Sequence, residues 1–236
     1  MREALRIDER MLEGYLGLGD PVADLLNGAT CDGDDAFASQ RWLRDSPPKR
    51  AIWHELYGDL LEPGPRRTVL DVGGGYSALT RLLAARQDYT LLDFMAHDDH
   101  GALRRVEAGL ESFWTAADWL AAESVPAADV VVANDLFPNV DQRLELFLAR
   151  FLPYCAELRL SLTVYNRPRF YTAKRVDGEE MLVVLAWDGE QTRRALARSG
   201  AEIPAAALAA LSQPGESVFP NGREVVTVKL RGGAPA

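Results

Sequence analysis

Three consecutive glycines, Gly73, Gly74 and Gly75, lie where a predicted strand ends and a predicted helix begins. Glycine has no Cβ and readily adopts positive φ, so the backbone can pass very close to a ligand there. In open α/β sheets, ligands bind just outside the carboxyl end of such a strand, and the following helix offers unpaired N–H groups. A purely structural turn is the alternative, which the flanking strand and amphipathic helix disfavour.

Two kinds of nucleotide ligand fit this loop: a dinucleotide, and a ligand that carries a positively charged amino group. The spacing Gly73-x-Gly75-x-x-Ala78 satisfies the dinucleotide fingerprint, in which a helix N-terminus faces a pyrophosphate. Asp71 argues against that ligand, because a carboxylate two residues before the first glycine would repel a pyrophosphate. The same carboxylate would attract a positively charged amino group, directly or through water.

A second carboxylate, Asp93, ends the next predicted strand, 22 positions after Asp71 (93 − 71). At this position it can accept hydrogen bonds from both hydroxyls of a ribose. A dinucleotide site would use it in the same way, so Asp93 alone does not separate the two ligands.

The pattern of Asp71, Gly73 and Gly75 resembles the first motif of class I S-adenosylmethionine (SAM)-dependent methyltransferases, an acidic residue followed by x-Gly-x-Gly. The resemblance covers roughly residues 68–166. It implies that the cofactor is SAM and that Asp93 is the acidic residue of the second motif. It also implies that Asp118 and Trp119, after the third strand, contact the adenine; a helix N-cap is the alternative for Asp118.

The loop after the fourth predicted strand contains Asn134 and Asp135, and in the family this loop faces the sulfonium methyl group. The segment loosely resembles the (Asp/Asn)-Pro-Pro-(Tyr/Phe) signature of amine methyltransferases. Asp135 replaces the first proline, so the carbonyl geometry of that signature does not carry over. We predict catalytic roles for Asn134 and Asp135, and an N-cap for Asp141.

Substrate contacts are predicted from the segments around this cleft. Tyr165 and Asn166 end the fifth strand and would point toward it, and Trp42 belongs to a helical segment that would close over the substrate as a lid. Packing of the lid onto the sheet is an equal alternative for Trp42. Two further candidates, with weaker support, are His54 and His97.

The predicted fold is α/β: a Rossmann-like, seven-stranded, mostly parallel sheet with flanking helices and a helical N-terminal cap. We expect the cap over 1–65 and a methyltransferase domain over 66–236, with a β-hairpin insertion around 168–187. Strands alternating with helices predict the parallel sheet. Predicted strands lie at 68–72, 89–93, 111–115, 129–133, 157–165 and 224–230, and predicted helices at 77–86, 100–108, 119–123, 142–151 and 189–198.

Composition limits the partners. The chain has 236 residues and a formal net charge of −9, which disfavours nucleic acid because phosphate binding needs a basic surface. Two basic clusters are exceptions, interpreted as solvated faces or, alternatively, as sites that capture an anionic group such as a substrate carboxylate. They contain Arg41, Arg44, Lys49 and Arg50, and Arg167, Arg169, Lys174 and Arg175.

Cys31 and Cys155 are far apart and show no metal-ligand spacing, which predicts free thiols, no metal and a reducing cytoplasm. The charged N-terminus is unlike a signal peptide, and no stretch has the roughly 18 apolar residues of a membrane span. A homodimer is plausible through the hairpin edge at 170–187.

These features together predict a SAM-dependent methyltransferase that acts on a small polar metabolite in a specialised biosynthetic pathway. A nitrogen acceptor, an amine or a guanidine, is preferred because of Asn134, Asp135 and the acidic charge balance. The alternatives are an O-methyltransferase acting on a sugar or phenolic hydroxyl, and a non-catalytic SAM-binding regulatory subunit.

Overall fold

A computed structural model describes residues 3–95, 98, 101, 113–122, 124–137, 143–174 and 181–233 of the chain. Of the predicted helix at 100–108 only residue 101 is described, and residues 175–180 of the predicted hairpin, His97 and Asp141 lie outside the described residues. The strands are β1 (Ala4–Arg6), β2 (Thr68–Val72), β3 (Asp88–Leu92), β4 (Trp114–Thr115), β5 (Ala128–Phe137), β6 (Cys155–Val164), β7 (Arg169–Lys174), β8 (Met181–Ala186) and β9 (Glu224–Arg231).

The helices flank the strands. They are α1 (Glu9–Leu16), α2 (Pro21–Ala29), α3 (Ala38–Asp45), α4 (Pro47–Leu61), α5 (Ala78–Arg86), α6 (Leu144–Phe151), α7 (Gly189–Arg198) and α8 (Ala205–Ser212). Ser46 caps α4 by accepting from the Lys49 N–H, and proline occupies the first turn, where its missing N–H costs nothing.

Seven of the described strands form one sheet in the order β1-β9-β6-β5-β2-β3-β4. Neighbouring strands from β6 to β4 in this order pair in parallel, whereas β9 runs antiparallel to both β6 and β1. The predicted seven-stranded, mostly parallel sheet is confirmed. Strands β3 and β4 lie on one side of β2, whereas β5 and β6 lie on the other, so the strand order reverses between β2 and β5. The crevice beyond the carboxyl ends of β2 and β5 is therefore the topological switch point, where such folds bind ligands.

The two faces of the sheet bury different helices because alternate side chains of a strand point to opposite sides. Val69, Leu91 and Val130 face a core that contains α1, α2, α4 and α5. Leu70, Leu92 and Val131 face a second core that contains α6, α7 and α8.

Helix α4 is fastened to the sheet by a buried ion pair. Arg159 of β6 is fully buried, and its guanidinium donates to both carboxylate oxygens of Asp59 and to the Leu56 carbonyl oxygen at 2.6–2.9 Å. Burial acts to raise the pKa of Asp59, but the Arg159 and Arg67 guanidiniums outweigh it and lower that pKa to about 2. The helix is thereby held in one position over the strands that carry the site.

The N-terminal segment differs from its prediction. A helical cap is predicted over 1–65, but residues 4–6 form an edge strand in which Leu5 pairs with Thr227 of β9. Long-range pairing overrides the local helical spacing here. The domain boundary near residue 65 stays a prediction, although β1 shows that the cap region contributes to the sheet.

Two other segments complete the comparison. Residues 119–123 were predicted as a helix, but the described residues 119–121 form only a turn. The predicted hairpin is confirmed: β7 and β8 form a separate two-stranded antiparallel sheet in which Phe170 pairs with Leu185. In the described part of the chain, no helix is long and apolar enough to cross a membrane.

Candidate functional site

The glycine loop joins β2 to α5 with two residues in the left-handed region, Gly73 (φ 73°) and Gly75 (φ 68°). The Gly73 N–H donates to the Leu92 carbonyl oxygen at 3.0 Å, which ties the start of the loop to the end of β3. Other residues strongly disfavour such φ values, so glycine is needed at both positions.

Crowding gives a second reason for each glycine. A methyl group on Gly73 would lie 2.9 Å from Leu136 Cδ1, and one on Gly74 would lie 2.5 Å from both carboxylate oxygens of Asp71. A methyl group on Gly75 would overlap the Ser39 hydroxyl. The loop is therefore enclosed by β5, by Asp71 and by the N-terminal cap.

Asp71 lies beneath this loop and faces the protein interior. Its side chain is 3% exposed and accepts hydrogen bonds from the hydroxyls of Tyr57, at 3.0 Å, and Tyr89, at 2.7 Å. Burial raises the pKa of Asp71 to about 7, with the charge of Asp93 adding to the rise and the two hydroxyls opposing it. The carboxylate of Asp71 is therefore enclosed by tyrosines and supports the loop, and its contact with a cofactor amino group, directly or through water, stays a prediction.

Asp93 lies on the open side of the loop. Its Oδ2 accepts from the Gly75 N–H at 2.9 Å and its Oδ1 accepts from the Met95 N–H at 2.6 Å. The Trp114 indole donates to the Asp93 carbonyl oxygen at 2.6 Å and fixes the end of β3. Asp93 is half-buried. Its hydrogen bond with the Gly75 N–H joins the glycine loop to the end of β3, where a ribose is expected.

The N-terminal cap holds the loop directly. Gln40 accepts from the Ala78 N–H at 3.0 Å, which satisfies one of the unpaired N–H groups at the start of α5. Phe37 packs edge-on against Tyr76, with 4.4 Å between ring centroids. These contacts, together with Ser39 against Gly75, were not predicted, because no local pattern in the sequence links α3 to residues some 40 positions later.

Asp118 and Trp119 occupy different environments. Asp118 is exposed and accepts from the Leu120 N–H at 2.9 Å, which stabilises a turn and not the N-terminus of a helix. Trp119 is 8% exposed and packs edge-on against Phe147 of α6, with 5.2 Å between ring centroids. Trp119 is therefore part of the core, and adenine contact for the two residues stays a prediction.

Asn134 and Asp135 lie in an irregular part of β5, where the register to β6 shifts between Ala133 and Phe137. Asp135 has a left-handed backbone (φ 57°), and such non-glycine residues concentrate at functional sites. Ser161 of β6 holds the bulge, since its hydroxyl donates to Asn134 Oδ1 at 3.0 Å and accepts from the Asp135 N–H at 2.6 Å.

The Asp135 carboxylate is bound by two cations. Oδ2 accepts from Lys49 Nζ at 2.8 Å, and Oδ1 accepts from Arg223 Nη1 at 2.8 Å. Burial would raise the pKa of Asp135, but the charges and hydrogen bonds of the two cations outweigh it and lower that pKa. Asp135 is thus held ionised and is a weak proton acceptor, which argues against a catalytic role for it as a general base.

Of the three predicted substrate residues, Trp42 contacts this cluster, and Tyr165 lies near enough to Arg223 to interact with its charge. Trp42 lies beneath the Lys49 ammonium, 4.4 Å from its ring centroid. The Tyr165 hydroxyl is hydrogen-bonded to that of Tyr171 at 3.0 Å, and Arg169 lies over both rings. Asn166 is exposed beyond the end of β6, and its substrate contact stays a prediction.

His54 lies elsewhere, with its ring 5.6 Å from that of Tyr15 in the cap. Both cysteines are free, as predicted. Among the residues that the structure describes, no group of three or more histidine, cysteine or acidic side chains could hold a metal ion.

Comparison with solved structures identifies the fold. The 1,6-didemethyltoxoflavin-N1-methyltransferase of Burkholderia thailandensis, solved with 1,6-didemethyltoxoflavin and S-adenosylhomocysteine, superposes with a TM-score of 0.55 at 15% identity, covering 93% of this chain and 90% of that one. This chain has the fold of class I SAM-dependent methyltransferases. Its sequence matches no protein-family model and no curated protein.

Two further structures with this fold cover nearly the whole chain. The complex of DhpI with S-adenosylhomocysteine has a TM-score of 0.52 at 17% identity, covering 95% of this chain and 98% of its own. The magnesium protoporphyrin IX methyltransferase of Synechocystis, with bound SAM, has a TM-score of 0.50 at 14% identity, covering 98% and 100%. The superpositions with these structures therefore extend over most of the cap as well as the sheet.

Replacing Gly74 tests the packing of the loop on Asp71. Gly74→Ala should lower the free energy of unfolding by about 2 kcal/mol, since the added methyl group overpacks the buried carboxylate. Gly64→Ala is the control, because no atom lies within 4 Å of the added group, and its effect should stay within about 0.5 kcal/mol. Urea denaturation measures both, and equal effects would contradict the packing described here.

The raised pKa of Asp71 predicts a stability that depends on pH. The folded state retains a proton that the unfolded state has released, so this contribution is present at low pH and is lost as pH rises towards 7. With a folded-state pKa of about 7, the contribution should fall by about 2.5 kcal/mol between pH 5 and pH 8.

Asp71→Asn isolates this effect. The unfolding free energy of the wild type minus that of the variant should decrease between pH 5 and pH 8, because asparagine does not titrate. Urea denaturation of both proteins at the two pH values gives the difference. A difference that is constant with pH would show that Asp71 is already ionised at pH 5.

Proposed function

We propose that this protein is a SAM-dependent methyltransferase that acts on a small polar metabolite. The observation that carries the proposal is the junction of Gly75 and Asp93 beyond the carboxyl ends of β2 and β3, next to the topological switch point, where the carboxylate lies 2.9 Å from the loop N–H. It is supported by the methyltransferase fold and by neighbours solved with SAM or S-adenosylhomocysteine.

The cofactor would lie across the glycine loop. Asp93 borders the loop through its contacts with the Gly75 and Met95 N–H groups, and we expect its carboxylate to accept the ribose hydroxyls, since a carboxylate can accept several hydrogen bonds. The half-buried backbone at Gly73 and Gly74 would face the methionine part. SAM supplies an activated methyl group, and the protein must align the acceptor with the carbon–sulfur bond.

We propose a nitrogen acceptor. The sequence favoured it through Asn134, Asp135 and the acidic charge balance, whereas the structure supports it through the lowered pKa of Asp135. Methylation of a neutral amine needs the nitrogen lone pair and the later loss of one proton, whereas an unactivated hydroxyl needs a base. Because Lys49 and Arg223 keep Asp135 ionised with a lowered pKa, this carboxylate is poorly suited to remove a hydroxyl proton. An already ionised oxygen is the alternative acceptor.

The other expectations of the sequence find limited support. A homodimer would cover the outer face of the β7–β8 hairpin, where Phe170, Met181 and Val183 are largely exposed. A regulatory subunit that binds SAM without catalysis is disfavoured by the ordered bulge at Asn134 and Asp135, which a non-catalytic site would not need.

Asp93→Ala tests cofactor binding. Titration calorimetry should show that the wild type binds SAM and S-adenosylhomocysteine but not NAD, and that the variant binds both SAM ligands at least 100-fold more weakly. The loss follows from removing the expected ribose contact and the support of the Gly75 N–H. Asp88→Ala is the matched control, because its exposed carboxylate pairs only with Arg66 among the described residues.

Asp88→Ala should bind SAM like the wild type, and both variants should retain their melting temperature to within a few degrees. Binding of NAD in preference to SAM would overturn the proposed function. Wild-type affinity in Asp93→Ala would remove Asp93 from the site.

A panel of metabolites with labelled SAM tests the acceptor. We expect label in amines or ring nitrogens, with S-adenosylhomocysteine as the second product. Label confined to hydroxyl compounds would contradict a nitrogen acceptor while leaving the methyltransferase assignment intact. Binding of SAM without transfer to any compound of a broad panel would favour the regulatory alternative.

A further inference from the structure

Lys49, Asp135 and Arg223 form a cluster, here called the cationic clamp, from three distant parts of the chain. Lys49 lies in the first turns of α4, Asp135 in the bulge of β5, and Arg223 just before β9. Asp135 bridges the two cations at 2.8 Å on either side. The side chains are 24%, 25% and 11% exposed, respectively, so the clamp is partly buried but open to solvent.

Both cations are held in place by aromatic rings. The Lys49 ammonium lies 4.4 Å from the centroid of the Trp42 ring, and the Arg223 guanidinium lies 4.2 Å from that of the Phe219 ring. A cation over a ring face is attracted by the ring quadrupole, and each head group is thereby fixed before any ligand arrives. Such preorganisation lowers the entropic cost of binding.

The charges of the clamp do not balance. Among the described residues, two cations pair with one carboxylate, so the three side chains of the clamp together carry a net charge of about +1. Uncompensated charge in a partly buried site is unfavourable, and an anion placed beside the two cations would relieve it. The lysine has three N–H donors and the arginine five, more than Asp135 alone engages in the contacts described.

The clamp lies beside the glycine loop, which would hold the cofactor. Leu136, next to Asp135 in sequence, contacts Gly73 of the glycine loop. On the other side, Arg223 is adjacent to Glu224, which pairs with Val164, and Tyr165 follows directly. Burial raises the pKa of the Tyr165 hydroxyl, and the nearby Arg223 and Arg169 oppose that rise. The clamp thus links the cofactor loop to the substrate residues.

From this geometry, and on the basis of the proposed function, we propose that the methyl acceptor carries a carboxylate that binds between Lys49 and Arg223. A singly charged group matches the excess charge of the clamp, and a planar carboxylate fits the guanidinium fork. The acceptor is therefore an acid, such as an amino acid or a carboxylated heterocycle, and its methylated atom lies apart from the carboxylate. The chain as a whole carries a net negative charge, but the side chains of the clamp carry a net positive charge.

Binding of two simple probes tests the proposal. Benzoate and benzamide have nearly the same shape and differ in charge, so the clamp should bind benzoate at least tenfold more tightly when the protein is saturated with S-adenosylhomocysteine. Titration by ligand-observed NMR measures both dissociation constants. Equal affinities would overturn the proposal.

Three variants separate the clamp from general charge effects. Lys49→Met should weaken benzoate binding about tenfold, and Lys49→Arg should restore it. Asp135→Asn should tighten benzoate binding, because it removes the internal competitor for both cations. Arg44→Met is the control and should leave binding unchanged, since Arg44 is an exposed cation paired with Asp35 and Asp45.

The affinity for S-adenosylhomocysteine distinguishes the two proposals. Suppose that every variant binds S-adenosylhomocysteine like the wild type but that Asp135→Asn weakens benzoate binding. The clamp then does not hold an anion, and the proposed function stands. If the wild type does not bind S-adenosylhomocysteine at all, the proposed function itself is contradicted. Melting temperatures within a few degrees of the wild type exclude unfolding as the cause.

Discussion

One buried carboxylate organises the cofactor end of this molecule. Asp71 lies beneath Gly74 and accepts from Tyr57 of α4 and Tyr89 of β3. It thereby joins the cap region, the second strand and the loop through a single group. Burial of this carboxylate is unfavourable, and it is offset by the hydrogen bonds of the two hydroxyls and by protonation at a raised pKa. The shape of the loop therefore depends on the hydrogen bonding and the protonation of Asp71.

The sequence was sufficient to predict the parts that depend on local pattern. Strand alternation predicted the parallel sheet, and the spacing of Asp71, Gly73 and Gly75 predicted the loop. The orientation of Asp71 was not accessible, because the two tyrosines that enclose it are 14 and 18 positions away. A motif shows which residue types meet, whereas the direction of a side chain depends on its tertiary neighbours.

The functional residues that were missed make contacts far apart in sequence. Lys49 and Arg223 are 86 and 88 positions from Asp135, and Ser39 and Gln40 approach the loop from the cap. Their types gave little signal: Lys49 and Arg169 belonged to basic clusters for which anion capture was the less favoured interpretation. Net charge was also a poor guide, because an acidic chain can present a positively charged site where two cations converge on one carboxylate.

The order of the strands has a consequence for how the chain is made. Strand β9 lies between β6 and β1, so residues 4–6 cannot pair until β9, more than 200 residues later, has been synthesised. Until then the edge of β6 is unpaired, and such edges promote association with other chains. A ribosome that stalls before residue 224 would therefore release a chain with an open sheet edge, and we expect chaperone dependence to be greatest late in synthesis.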